Sequence, residues 1–359
     1  MFFLICSRSM QSLMESRSQF TSIGGQAVIE GVMMRSPRFI AVAARKPDGR
    51  IVIRNRPYQG IATRYPILKK PVLRGVVTLV ESMIQGMDAL SFSANIAAVE
   101  AAEGDPDSAA VDGGQEELSK LAIATSIAFA FVMGMGLFVA LPHVLTAWLT
   151  TRTADSPWFH LIDGVIKMSV LLLYVYLIAL MKDIRRVFQY HGAEHKSIYA
   201  FEAGEELNVA NARRHTTLHP RCGTSFLLFL VLISILVFSA VFPLLGLAQL
   251  TGIKLLDHAI MVAAKIVLML PVAGLSYEFI KAAACRMDNA VMRALIWPGM
   301  VLQNLTTRQP DDSQLEVALA SLKTVLLAEK RGDTGESQIE IAGLADLATV
   351  EASVAEFPE

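Results

Sequence analysis

The sequence contains few cysteines and few charged residues, and each of these facts excludes some classes of protein. The three cysteines are Cys6, Cys222 and Cys285, and no two have the C-x-x-C spacing. An odd number excludes a framework in which every cysteine is paired, and it favours a reducing environment. Charged residues make up 18% of the chain and no dense basic run alternates with aromatic residues. We therefore expect no nucleic-acid partner.

Long apolar runs occupy much of the chain. Apolar residues make up 53% of it and the mean hydropathy is +0.46, as in membrane proteins. A helix needs ~20 apolar residues to cross a bilayer. Four segments approach or exceed that length: residues 121–148, 165–181, 226–250 and 260–280. We predict a mainly α, polytopic membrane protein with about four transmembrane helices and the lipid bilayer as a partner.

A few polar residues and one proline interrupt these runs. Lys167 and Lys265 are expected to extend their ammonium groups to the membrane interface along apolar stems. His143, beside a proline near a span end, is expected to be an interfacial polar residue. Pro271 is expected to kink or break the fourth span.

The charges of the loops predict the orientation. Residues 149–164 and 251–259 hold one basic residue each, whereas residues 182–225 hold seven. Basic residues are enriched in cytoplasmic loops. We therefore expect a multi-pass protein of the inner (cytoplasmic) membrane, with the middle loop and both termini in the cytoplasm.

The segments outside the spans predict a small cytoplasmic module. Residues 39–44 and 50–56 are strand candidates on either side of the turn sequence KPDG, which predicts a β-hairpin. Residues 71–96 form an amphipathic helix that lies on the bilayer, covers the later helices or packs on the hairpin. The expected organisation is a poorly structured N-terminus 1–23, hairpin module and helix 24–99, acidic linker 100–120, transmembrane bundle 121–300 with loop 182–225, helical segment 301–330, and an acidic disordered tail 331–359.

The middle loop contains a pattern typical of metal sites. His191 and His195 are four residues apart, so a helix would present both imidazoles on one face. Glu194 lies close to that face, where it could act as a general base. H-x-x-E-H is the reversed form of the zincin motif, which predicts a divalent metal such as zinc, with Glu194 as the catalytic residue.

The third metal ligand stays open at this level. A catalytic zinc site uses three protein ligands, and the candidates are His219, Cys222 and Glu278. The alternative is structural: these polar groups bond one another and hold a cap over the bundle. Cys222 would then be a small buried hydrophobe, and Glu194 would form a salt bridge with Lys196 or Arg213.

Several motifs resemble the YqhQ-like family of bacterial membrane proteins. The opening signature is GGQAVIEGVMMR at residues 24–35, the central one YHGAEHK at 190–196, and the third HPRCGTS at 219–225. Further similarities are GLSYE at 274–278, WPG at 297–299, LQ at 302–303 and TTR at 306–308, so the resemblance runs from about Gly24 to Lys323. It implies a polytopic membrane protein and a metal-dependent enzyme, and it supplies no substrate.

Two functions of different classes follow. The first is a metal-dependent hydrolase at the cytoplasmic membrane face, acting on a peptide, a lipid or a lipid-linked group. The second is a non-catalytic membrane carrier or scaffold, in which the His/Glu cluster is structural. Other membrane proteins or a second copy of the chain are expected as partners.

Overall fold

The computed structural model describes most of the chain. It covers residues 23–103, 125–126, 128–151, 154–247, 250–284, 286, 289–332 and 335–346. The predicted unstructured N-terminus up to residue 22, linker residues 104–124 and tail residues 347–359 lie outside the described residues.

Five antiparallel strands form one sheet in the order β1-β2-β3-β4-β5. They are β1 Gly24–Val28, β2 Gly31–Arg35, β3 Phe39–Arg45, β4 Ile51–Pro57 and β5 Ser337–Ile341. The predicted hairpin is confirmed, because β3 pairs with β4 with Arg45 opposite Ile51. The GGQAVIEGVMMR motif at residues 24–35 forms the adjoining hairpin of β1 and β2.

The fifth strand corrects the expectation of a disordered tail, which is wrong for Ser337–Ile341. This strand pairs with β4, and Ile341 lies opposite Ile51. Ile341 is buried and Glu340 is exposed, the alternation of a strand with one face on a core. The acidic composition of the tail predicted disorder because the apolar face of this strand is short.

The described helices follow the sheet strands and precede β5. After a short helix Ile61–Arg64 and a 3₁₀ turn Pro66–Lys69 they are α1 Leu73–Glu103, α2 Ala128–Leu149, α3 Pro157–Ile178, α4 Lys182–Glu202, α5 Val209–Arg214, α6 Gly223–Leu245, α7 Lys254–Ala284, α8 Ala290–Thr306 and α9 Asp312–Arg331. Residues 100–103, expected in the linker, belong to α1.

Four of these helices, α2, α3, α6 and α7, are long and apolar enough to cross a membrane. The prediction of a mainly helical, four-span membrane protein is therefore confirmed. The second span begins at Pro157, earlier than the apolar run suggested. Pro271 lies inside α7 without ending it.

Helices cover both faces of the sheet. On one face, α4 and α9 bury Tyr190 and Leu315 against apolar residues of β2, β3 and β4. On the other face, α1 contributes Ala89 to a smaller core with Val28 and Val42. Asp311 caps α9 by accepting from the Gln314 amide at 2.9 Å, which stabilises the start of this helix.

Helix α1 also joins the sheet to the bundle. An added Cβ at Gly75 would meet the side chain of Tyr277 in α7 at 2.8 Å, so the two helices lie in close contact. Met83, Ile84 and Met87 remain exposed on the same helix. The helix thus packs on both the sheet and the later helices, and one apolar stripe stays uncovered.

The two lysines of the spans are buried, so the prediction that they reach the interface is wrong. Lys265 is fully buried and its Nζ lies 2.9 Å from Oδ1 of Asp163. The Nζ of Lys167 lies 3.6 Å from the other oxygen of the same carboxylate. His143 is also buried, 3.0 Å from Lys265. The carboxylate of Asp163 supplies a counter-charge to both lysines, and this offsets part of the cost of burying their ammonium groups.

Candidate metal centre

Helix α4 brings the two histidines of the H-x-x-E-H motif together. The ring centroids of His191 and His195 are 4.5 Å apart, as expected for positions i and i+4. An added Cβ on Gly192 would lie 2.0 Å from the carbonyl oxygen of Arg308. A residue without a side chain is therefore required where α4 meets the segment that leads into α9.

Backbone carbonyls orient both imidazoles. Nδ1 of His191 lies 2.8 Å from the carbonyl oxygen of Thr306, and Nδ1 of His195 contacts the carbonyl oxygen of Thr217. Because a carbonyl can only accept, each Nδ1 carries a proton, and a neutral ring then keeps a lone pair on Nε2. Metal-binding histidines are commonly held in this way.

Cys222 completes a group of three donors. Its Sγ lies 3.2 Å from Nε2 of His191, and one donor atom each from His191, His195 and Cys222 lie within 4.8 Å of one another. Cys222 is the N-cap residue of α6 and accepts from the Thr224 amide at 3.4 Å. We call His191, His195 and Cys222 the histidine–cysteine group.

Burial keeps the second histidine of this group neutral. It lowers the pKa of His195, and the neighbouring Cys222 partly opposes that shift. A neutral imidazole is the form that binds a metal ion.

Glu194 lies beside the group in a buried position, with 5% of its surface exposed. Burial raises the pKa of its carboxyl, and His191, His219 and the backbone N–H of Gly25 oppose the shift. An added Cβ at Gly25 would lie 2.7 Å from the Glu194 side chain. Strand β1 therefore approaches the carboxylate closely.

The alternative expectation, a salt bridge from Glu194 to Lys196 or Arg213, is not observed. Lys196 donates to backbone carbonyls, and Arg213 pairs with Asp312.

His219 lies behind the group. Its backbone N–H donates to Gln303 at 2.7 Å, and the Gln303 amide returns a bond to the His219 carbonyl at 2.8 Å. Its ring centroid is 5.6 Å from that of His195. Burial lowers the pKa of His219 to about 4, and Glu194 opposes the shift. The side chain is thus neutral near pH 7, and its Nδ1 accepts from the backbone N–H of Arg221 at 3.3 Å.

A cavity of about 430 Å³ borders all of these side chains. Strand β1, helices α1 and α4, and the start of α6 form its walls. The polar side chains among its lining residues are Gln26, Ser82, His191, Glu194, His195, His219, Arg221, Cys222 and Thr224. A substrate entering here would meet the histidine–cysteine group and Glu194 together.

The remaining predicted ligand lies elsewhere. Glu278 in α7 accepts from the guanidinium Nε of Arg74 at 2.6 Å and from the Val72 amide at 3.4 Å. The expectation that it completes the metal centre is therefore corrected. The carboxylate is held by the start of α1, which packs on this end of α7.

Sequence reasoning missed the groups that hold the histidines. Thr217 and Thr306 act through carbonyl oxygens, which leave no side-chain signature in a sequence. Gln303 and Thr306 do fall in the LQ and TTR motifs of the resemblance, and that was their available signal. Gly25 similarly lies in the opening motif.

Comparison with known proteins places this arrangement in a family. A family model described as "Protein of unknown function (DUF1385)" matches residues 70–328. The chain belongs to the DUF1385 family. This DUF1385 chain is 31% identical over 316 residues to "Uncharacterized protein YqhQ" of Bacillus subtilis (strain 168). That similarity covers 85% of this chain and 92% of the relative, and it confirms the resemblance seen in the motifs. No solved structure matches.

The DUF1385 region contains the histidine–cysteine group, Glu194 and His219, but it begins after the sheet strand that carries Gly25. Its description names no reaction, and the similar protein is uncharacterised. The chemistry of this DUF1385 member therefore has to be argued from its own side chains.

Proposed function

We propose that this protein is a metal-dependent hydrolase at the cytoplasmic face of the membrane, acting on a peptide, a lipid or a lipid-linked group. One observation carries the proposal. Two imidazoles with protonated Nδ1 atoms and one thiol converge to within 4.8 Å beside a buried carboxyl group.

The donor set fits a divalent ion, and zinc best. Zinc prefers nitrogen and sulfur ligands, and catalytic zinc sites combine three protein ligands with one open position. Around one tetrahedral zinc the donor atoms are separated by about 3.5 Å. The histidine–cysteine group lies within 4.8 Å, so side-chain shifts of about 1 Å would suffice to close around an ion. His219 would serve as a fourth donor only by giving up the bond that its Nδ1 accepts from the Arg221 amide at 3.3 Å.

The protein's own residues supply the proton transfers. Glu194 would take a proton from the attacking water and later deliver it to the leaving group, so that water adds across the scissile bond. The backbone N–H of Gly25 favours the ionised form of the Glu194 carboxyl, which lines the cavity. A divalent ion would contribute Lewis-acid activation of the water and of the scissile carbonyl or phosphoryl group.

The surroundings of the cavity support a membrane-borne substrate. Ser82 of α1 lines the cavity, and its neighbours Met83 and Ile84 are exposed apolar residues. Exposed apolar stripes of this kind lie in membrane interfaces. The seven basic residues of the segment 182–225 support a cytoplasmic location for the site.

Metal content of purified protein tests the first half of the proposal. We expect about one zinc or similar ion per chain in full-length protein prepared in detergent without chelator. His191→Ala, His195→Ala and Cys222→Ser should each lower it at least tenfold. His215→Ala is the matched control, since His215 lies in the same segment but bonds Glu205. Metal-free wild-type protein, or folded variants that retain their metal, would contradict the proposal and favour a hydrogen-bonded structural cap.

Glu194→Gln tests the second half. The variant keeps the size of the side chain and, since Glu194 is not counted among the ligands, should keep its metal. Isolated bacterial membranes incubated with wild-type protein should accumulate products that differ from a precursor by one water, detected by mass spectrometry of lipids and peptides. The variant should produce at least a hundredfold less. Equal product formation by both proteins would exclude Glu194 as the base.

A further inference from the structure

A second polar cluster lies inside the helical bundle and plays no part in the proposed hydrolysis. Asp163, Lys167 and Lys265, which we call the buried charge cluster, are at most 3% exposed. They lie beside Phe238 of α6, whose ring centroid is 5.1 Å from Nζ of Lys167. Phe238 is 16 residues after Cys222, which corresponds to about 24 Å along a helix. The two clusters are therefore separate sites.

The charges of this cluster do not balance. The carboxylate of Asp163 faces two potential ammonium groups, 2.9 Å from Lys265 and 3.6 Å from Lys167. The third packed span, α6, contributes no ionisable side chain. A net positive charge in an apolar bundle is costly, and intramembrane ionisable residues commonly mark ion or proton pathways. The cluster becomes neutral if one lysine gives up its proton.

A chain of hydrogen-bonding groups connects the cluster to the end of the bundle. Nζ of Lys265 lies 3.0 Å from Nδ1 of His143. Nε2 of His143 lies 3.0 Å from Nδ1 of His258. His258 is in the second turn of α7 and is only half-buried. The contacts run without a gap from a partly exposed imidazole to a fully buried amine.

We propose that Asp163, Lys167 and Lys265 form a proton-binding site within the bundle, which exchanges its proton through His143 and His258. When Lys265 loses a proton, its N–H bond breaks and one forms at Nδ1 of His143. His143 then passes the proton on its Nε2 to Nδ1 of His258, which releases one from its own Nε2. The first two transfers each break one N–H bond and form another, and the last breaks the N–H bond of His258 and protonates a water molecule.

The other ionisable groups near the cluster take no part in this chain. His160 of α3 packs against Phe242, with ring centroids 4.8 Å apart. Asp257 of α7 accepts from the Thr251 amide and hydroxyl at 2.8 and 2.7 Å. The proposal therefore rests on five side chains from α2, α3 and α7: Asp163, Lys167, Lys265, His143 and His258.

Nitrogen NMR of the lysine side chains tests the proton site. Full-length protein with ¹⁵N-lysine in detergent should show one buried Nζ signal that changes from ammonium to amine within the pH range in which the protein stays folded. Lys167→Met and Lys265→Met assign it. Two buried signals that remain ammonium over that range would overturn the proposal. In that case, a change in thermal stability when chloride is replaced by gluconate would show that a bound anion balances the second ammonium charge.

Stopped-flow pH jumps with a soluble pH dye test the route. His143→Phe should slow proton uptake by the cluster at least tenfold while leaving the amount taken up unchanged. His160→Phe is the matched control, since His160 lies next to the cluster but outside the chain, and it should match wild type. An unchanged rate in His143→Phe, or equal slowing in both variants, would overturn the route through His143.

Discussion

The histidine–cysteine group and the buried charge cluster both contain buried polar side chains, but different partners stabilise them. In the first, backbone carbonyls of Thr217 and Thr306 orient the imidazoles, which face a cavity. In the second, charged groups face one another, and Asp163 serves two lysines. The first arrangement leaves lone pairs available to a ligand. In the second arrangement the polar groups contact one another, so that a proton is the only species we propose it exchanges with the solvent.

The comparison predicts that loss of the acidic residue lowers the stability of the protein much more in the buried charge cluster than beside the histidine–cysteine group. Asp163→Asn leaves a buried ammonium without its counter-charge and should lower the free energy of unfolding by about 3–5 kcal/mol. Glu194→Gln should cost much less, since Glu194 is not ion-paired. Unfolding by SDS in mixed micelles, followed by circular dichroism, measures both.

The matched control for Asp163→Asn removes the charges together. The triple variant Asp163→Leu, Lys167→Met and Lys265→Met should recover most of the lost stability, because well-packed apolar residues can replace a buried ion cluster. If Asp163→Asn is as stable as wild type, the lysines do not depend on this carboxylate and the contrast between the clusters fails.

Acid should lower the free energy of unfolding, because His219 is buried in its neutral form. The pKa of His219 is lowered to about 4 by burial, against about 6.5 for an unfolded histidine. Between these values the unfolded chain binds more protons, so stability falls as the pH falls from 6.5 towards 4. The loss is on the order of 3 kcal/mol at most.

Unfolding measurements at pH 7 and pH 5, with chelator present, check this pH dependence. His219→Gln cannot take up the proton and should show a smaller difference between the two pH values than wild type. An identical difference in both proteins would show that another group controls the acid response.

The smallest effect should come from the strand that approaches Glu194. Gly25→Ala places a methyl group 2.7 Å from the Glu194 side chain and should cost about 1–3 kcal/mol of stability through overpacking. It should also lower product formation by displacing the carboxyl group. Gly24→Ala is a close control, since nothing lies within 4 Å of an added Cβ there. Equal effects of both substitutions would point to the strand backbone instead of contact with Glu194.

The sequence predicted features whose signal is local. The hairpin of β3 and β4 followed from its turn residues, the four spans from their apolar length, and the pair His191 and His195 from helical spacing. Features that depend on distant partners were missed or misjudged. Lys167 and Lys265 looked interfacial because Asp163 carries no mark of being their shared partner, and Glu278 looked like a ligand because Arg74 lies 204 residues away.

For the candidate site, the sequence alone supplied His191, Glu194 and His195 and left three residues open for the next ligand. Tertiary structure separates them: the start of α6 lies beside the middle of α4 and brings Cys222 to His191, whereas Glu278 of α7 bonds Arg74 of α1. The same applies to β5, whose short apolar face gains stability only by pairing with β4. Chain length, hydropathy and helical spacing are properties of neighbouring residues and determine the spans and the motif. Which donors meet in space depends on packing between elements far apart in the chain, and only the folded protein decides it.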